Sequence, residues 1–169
     1  TCRADYLEPF GGTKIETPHI NALAEDSSIF TDAVTPVPLT LPAHASLLSG
    51  LHPIQHNVRD NFGGVLSEMV VTLPELFQES GYTTAGVIGT ILISRRTGLN
   101  QGFDMYNDEF SRAAFRALQP SVERKAETVN ELTMEWLESY LQPEAEPKQP
   151  FFLFTHYYDP HMLYQPPEP

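Results

Sequence analysis

A single cysteine, Cys2, is the only thiol in these 169 residues. That count excludes an intrachain disulfide framework and a cysteine-rich zinc site. Positive charge is also scarce: ten Lys+Arg stand against 22 Asp+Glu, a net charge of −12 with histidine neutral. This balance argues against nucleic-acid binding by a basic patch, because phosphate neutralisation needs clustered Lys and Arg. No stretch reaches the ~18 apolar residues of a bilayer span. Neither Gly-x-Gly-x-x-Gly nor Gly-x-x-x-x-Gly-Lys-Ser/Thr occurs, which disfavours dinucleotide and P-loop nucleotide sites. Gly-x-Ser-x-Gly is missing as well, which weakens an α/β-hydrolase reading. The chain opens on Thr1 with no leader visible. What is present is enough for an ordinary core: 41% hydrophobic and 19% charged residues, neither a membrane bundle nor a disordered tail. Fifteen prolines exceed the usual ~5%.

Helical patterns alternate with short apolar runs. Thr17-Pro18 opens a helix over Pro18–Glu25, with Thr17 accepting from early N–H groups and Ile20, Leu23 and Ala24 on one face. Ser28–Thr35 alternates as a strand would. Pro42–Ser49 predicts a short helix ended by Gly50. His52–Gly64 reads as loop. Thr72-Leu-Pro-Glu75 starts a helix with a capping box and Gly81 as terminator. Thr83–Ile88 reads as a buried strand and Gly98–Asn107 as loop. Ser121–Leu141 is the longest helical period, with a row of glutamates opposite its apolar stripe. Gln142–Pro150 is a surface loop. Phe151–His156 is a continuous apolar run, as in a central strand of a parallel sheet. Strand–helix alternation predicts an α/β domain with helices on both faces.

Three places could carry chemistry. Thr40 sits just before the helix predicted from Pro42, where the dipole and free N–H groups suit an anion such as a phosphate or sulfate ester. Equally, Thr40 could be a plain N-cap. His44, His52, His56 and Arg59-Asp60-Asn61 form a cluster able to move protons or clamp an oxyanion, or else a solvated loop. Asp159-Pro-His161 follows the Phe151–His156 strand, where parallel-sheet enzymes place their sites, or else forms a proline-shaped turn.

Taken together, several motifs resemble one family. Thr40-Leu-Pro-Ala-His-Ala-Ser-Leu-Leu-Ser-Gly50 resembles the sulfatase signature Cys/Ser-x-Pro-x-Arg-x-x-x-Leu-x-Gly. Thr17-Pro-His-Ile-Asn-Ala-Leu-Ala24 resembles the Thr-Pro-Asn-Leu-Asp-x-Leu-Ala stretch of the same enzymes. Arg3-Ala-Asp-Tyr-Leu7, Gly81-Tyr-Thr-Thr-Ala85, Gly102-Phe-Asp104 and Tyr158-Asp-Pro-His161 match further landmarks in order. The chain is thereby similar to the sulfatase branch of the alkaline phosphatase superfamily over nearly its whole length. The resemblance implies an αβα sandwich with a mostly parallel central sheet, incomplete in this chain. Residues 1–169 would be the N-terminal part of a single catalytic domain. It implies a metal-dependent hydrolase of sulfate or phosphate esters, on a small molecule or a glycan, with Thr40 as nucleophile and metal donor. His161 takes the position of a histidine at the substrate or leaving group. Other readings are a phosphoryl-group transferase of the same superfamily or a non-catalytic binding module.

Departures from the family pattern are equally specific. Sulfatases convert Cys or Ser at the nucleophile position to formylglycine, and threonine would not give that aldehyde; Thr40 therefore moves weight towards phosphate. His44 replaces the arginine that supports the nucleophile. Gly89-Thr-Ile-Leu92 stands where Gly-Lys-x-His usually binds ester oxygens. Arg95 and Arg96 could supply that charge, or could pair with surface carboxylates; Arg59 is a further candidate for the substrate. The first aspartate ligand would precede Thr1, Asp5 is not assigned to metal, and the later Asp-His pair would lie beyond Pro169. The expected cofactor is a divalent metal, calcium, or zinc or manganese for a phosphate enzyme, with its other ligands outside this chain. The isolated chain is expected to be inactive. A periplasmic, secreted or membrane-tethered location is what the resemblance suggests.

Overall fold

The computed structural model describes residues 2–110, 123–142 and 149–161. These form two compact units, one reaching to Thr35 and resumed from Pro160, the other spanning Pro36–Asp159.

In the first unit, two 3-10 turns, Ala4–Tyr6 and Glu8–Phe10, precede helix α1, Pro18–Glu25. The proline at N1 starts α1 as predicted, but Thr17 does not cap it. Its hydroxyl accepts from the Glu8 N–H, its own N–H goes to the Glu8 carboxylate, and Asn21 donates to the same carboxylate. Thr17 thus ties α1 to the preceding turn. None of α1 is buried: on its apolar row Ile20 and Leu23 are exposed and Ala24 is half-buried. Ser28–Thr35 is not a strand. An isolated extended segment leaves its N–H and C=O groups unpaired; no neighbouring strand is described there, and Phe30 and Val34 are exposed.

The second unit is built on a parallel three-stranded sheet. Strands β1 (Thr83–Val87), β2 (Met105–Asn107) and β3 (Phe151–Thr155) take the order β2-β1-β3. β1 is the central strand, paired Ala85↔Met105 on one side and Thr83↔Phe151 on the other. Its run Thr84–Val87 is wholly buried. β3, expected as a central strand, is an edge among the described residues. β2 lies inside the stretch predicted as loop. Three residues are too short for a visible alternation, and β2 is held instead by the carboxylate before it. Asp104 accepts from the Thr84 N–H at 2.8 Å and from Gln78 at 2.6 Å, while Thr84 Oγ1 donates to Gly102 O. Gly86 carries no side chain because Tyr106 crosses the sheet there: a Cβ would lie 2.7 Å from its ring.

Helix α2 spans Thr40–Ser49, α3 Pro53–His56, α4 Leu73–Glu79 and α5 Ala126–Tyr140. α2 begins two residues earlier than predicted and ends at Gly50 in the left-handed region, as predicted. α3 is one turn inside the stretch read as loop. α4 carries the expected box, with the Thr72 N–H donating to Glu75 at 2.7 Å. α5 starts only at Ala126, because Glu123 is held in a bridge to Thr90. Ser121, Val122 and most of the Gln142–Pro150 loop lie outside the described residues. α5 packs on β1 through Val129 and Thr133, with its glutamates outward. The core joins Leu41, Ala45 and Leu48 of α2 to Val58, Leu66, Ile88, Ile93 and Leu99.

Candidate functional site

The carboxyl ends of parallel strands are where the chain turns out towards a ligand. Beyond β3, His156 donates its N–H to Val87 O and takes the Gly89 N–H on Nδ1 at 3.4 Å. Gly89 is required there, since a Cβ would sit 2.8 Å from His156 O. This close approach brings the exits of β1 and β3 together and buries Tyr158. His44, on α2, stands edge-on to His156 with ring centroids 4.8 Å apart, and Phe154 lies behind both. Thr40 is the first residue of α2, one turn from His44, and its side chain is a hydrogen-bond neighbour of Tyr158.

The helix start is less open to an anion than its sequence suggests. Leu39, not Thr40, is the N-cap residue and offers no side-chain oxygen. Pro42 has no N–H. The Leu41 N–H donates to Asn61 Oδ1 at 2.9 Å, and the Ala43 N–H to Leu39 O. At most the Thr40 N–H remains for a ligand.

The rings gathered here are uncharged near neutrality. Burial, helped by His44 alongside, pushes the His156 imidazole down to about 4. Burial lowers His44 as well, against the opposing bond to Thr40 O. Burial raises the Tyr158 phenol. Such groups can accept or relay a proton but supply no cation.

The arginines take other positions. Arg95 binds Asp108 through Nε at 2.7 Å and gives Nη2 to Tyr106 O. Arg96 and Arg59 are exposed, without an ion pair among the described residues. Within the cluster His44, His52, His56 and Arg59–Asn61, only His44 and Asn61 reach the start of α2. His56 is buried and structural: its Nδ1 accepts from the Val58 N–H, which leaves Nε2–H for Ser46 Oγ at 3.0 Å. His52 is exposed, with its N–H on Gln55. Asp159 bonds the Ala126 N–H at 2.9 Å, securing the start of α5. His161 is half-buried and belongs to the other unit. Asp5 pairs with Arg3 at 2.7 Å, both exposed. Thr90 and Leu92, at the positions of the family's Lys and His, form a local turn in which Thr90 Oγ1 accepts from the Leu92 N–H.

Sequence reasoning passed over His156 and Tyr158 as site residues. The signal was available: both follow directly on the apolar strand whose carboxyl end should face a site.

The family model for sulfatases matches residues 1–169. The chain belongs to the sulfatase family. It is similar to human N-sulphoglucosamine sulphohydrolase, 28% identical over 90% of this chain and 28% of that protein. A solved protein in complex with its substrate D-glucosamine-2-N,6-O-disulfate superposes with a TM-score of 0.75 at 22% identity, covering 96% of this chain and 33% of that one. The phosphonate monoester hydrolase of Agrobacterium radiobacter superposes at 0.68 with 20% identity, over 94% of this chain and 39% of that one. The chain therefore spans between 28% and 39% of the length of these relatives, and it shares the mixed α/β fold of the two solved structures.

Sulfatases are generally metal-dependent. The described residues do not by themselves compose a cation site. None of their histidine, cysteine and carboxylate groups cluster in threes, and around Thr40 the donors are neutral imidazoles and hydroxyls. A hard divalent cation requires several oxygens, carboxylates foremost. No helix among the described residues is long and apolar enough to cross a membrane.

Proposed function

We propose that these residues are the N-terminal part of a catalytic domain that hydrolyses sulfate or phosphate esters with Thr40 as nucleophile. The observation that carries this reading is the position of Thr40: first residue of a half-buried helix, at the carboxyl ends of β1 and β3, among His44, His156 and Tyr158. In this reading Thr40 Oγ1 attacks sulfur or phosphorus and the ester oxygen departs with the alcohol. Its proton passes to a neighbouring base, and water then cleaves the threonine ester to free the hydroxyl again. His44 suits the base: it is uncharged, and since its Nδ1–H is engaged by Thr40 O, Nε2 keeps a lone pair. Arg59 and Arg96 are candidates for the substrate anion. The divalent metal would draw its carboxylates from outside these residues, with Thr40 the donor supplied here. Sulfated amino sugars are the substrate class that the relatives' names support.

The test is kinetic and chemical. In the full-length protein, Thr40→Ala should lower turnover of p-nitrophenyl sulfate and p-nitrophenyl phosphate at least about a thousandfold. Mass spectrometry of a quenched reaction should find the ester on the Thr40 peptide. Undiminished activity in Thr40→Ala excludes Thr40 as nucleophile. The 169-residue chain alone should turn over neither ester.

A further inference from the structure

The peptide plane that follows Thr40 is gripped at both ends by side chains. Its carbonyl, on Thr40, lies 2.7 Å from His44 Nδ1; a carbonyl can only accept, so the ring nitrogen donates. Its N–H, on Leu41, donates to Asn61 Oδ1 at 2.9 Å. A peptide unit is rigid. Holding both its ends fixes the rotation that joins it to the Thr40 Cα, and so the direction of the Cα–Cβ bond that carries the Thr40 hydroxyl.

The helix does not provide the second grip itself. An N-cap side chain usually satisfies these first N–H groups, and Leu39 cannot. The acceptor comes instead from a residue 20 positions on, beyond α3. Asn61 is half-buried, and its own N–H is tied to Asp60 Oδ1 at 2.6 Å. A half-buried loop residue thus does the work of the missing cap at the peptide adjoining Thr40.

We propose that Asn61 is a positioning residue for the reaction at Thr40, acting through the Leu41 amide. This rests on the reading of Thr40 as nucleophile. Asn61 need not touch the ester. Its part is to hold in one orientation the backbone that carries the attacking oxygen, and small misalignments of a reacting group are costly in rate.

Two variants of the full-length protein test it, Asn61→Ala and Asn61→Asp, with two readouts. The first is deuterium exchange at the Leu41 amide. It should quicken about tenfold or more in Asn61→Ala, and return to within about threefold of the parent in Asn61→Asp, which keeps an acceptor oxygen at a helix start. The second is steady-state kinetics with p-nitrophenyl sulfate and p-nitrophenyl phosphate. In Asn61→Ala kcat should fall about tenfold with KM within about twofold, since alignment and not binding is lost. Unchanged exchange at Leu41 in Asn61→Ala overturns the grip. Lost protection with an unchanged kcat, or a raised KM alone, overturns the positioning role. Activity retained in Thr40→Ala would overturn the nucleophile reading itself, while exchange at Leu41 still decides whether Asn61 holds that peptide.

Discussion

Acid should unfold this protein partly through one imidazole. His156 is enclosed by His44, Tyr158 and Phe154, with Gly89 N–H on its Nδ1. Burial, then the neighbouring His44, pushes it from 6.5 in the ordinary state down to about 4. Between these values the unfolded chain binds a proton that the native one refuses. Stability is therefore fully present above about 6.5 and falls as the pH drops towards about 4. Each unit of pH inside that window costs about 1.4 kcal/mol, so the fall from pH 7 to pH 5 is worth about 2 kcal/mol. His44 and His56 are lowered by burial too and act with the same sign. The contribution of His156 is thus read as a difference. Urea unfolding of the full-length protein and of His156→Gln, followed by far-UV circular dichroism at pH 7, 6 and 5, gives the two slopes. The parent should lose about 2 kcal/mol more than the variant over that range. Identical slopes would refute the reasoning, because they would mean His156 titrates in the native state as it does in the unfolded chain.

Two further substitutions probe the supports of the site. Leu41→Ala empties a position with no exposed surface in the core under α2, and should cost about 2–5 kcal/mol by the same urea titration; a loss below ~1 kcal/mol would mean that α2 is not anchored there. Gly102→Ala places a Cβ 2.2 Å from the Glu75 N at a residue with φ of 76°. It should destabilise by about 2 kcal/mol or more and speed deuterium exchange across Leu73–Glu79. Parent-like protection of α4 would show that this contact is not the one the glycine relieves.

Much of this fold is written locally. The Thr72–Glu75 box, the proline that opens α1 and the glycine that ends α2 are chemical signals confined to four or five residues, and all three appear in the structure. The misses arise where distant partners decide. Ser28–Thr35 alternates like a strand, but alternation cannot furnish a neighbour. β2 is set by Asp104 and Thr84, 20 residues apart. Thr40 joined α2 because a leucine can occupy the N-cap position when Asn61 supplies the acceptor. The site shows the same division. Thr40 and His44 were legible as a motif. Arg95 offered two readings in sequence, and its engagement by Asp108 depends on where β2 ends. His156 and Tyr158 gained their place only from the approach of β3 to Gly89.

Arg124 forms no ion pair among the described residues. Arg124 gives Nη1 to Ile88 O and Asn107 O, each at 3.0 Å, and Nη2 to Asn107 Oδ1 and Glu109 O, while its plane rests on Phe110. Strand ends point carbonyl oxygens outward, and a rim of such oxygens is electronegative. Arg124 sets its positive charge against the carbonyls of Ile88, Asn107 and Glu109 where β1 and β2 stop. A ligand anion would then be opposed at long range by the net charge of −12, but not a second time at the rim. Those two barriers differ in their response to electrolyte. The distant field is screened by salt within a Debye length of ~8 Å at physiological strength, whereas the short contacts of Arg124 are not. For the anionic ester proposed as substrate, encounter with this chain should accordingly quicken as salt is added.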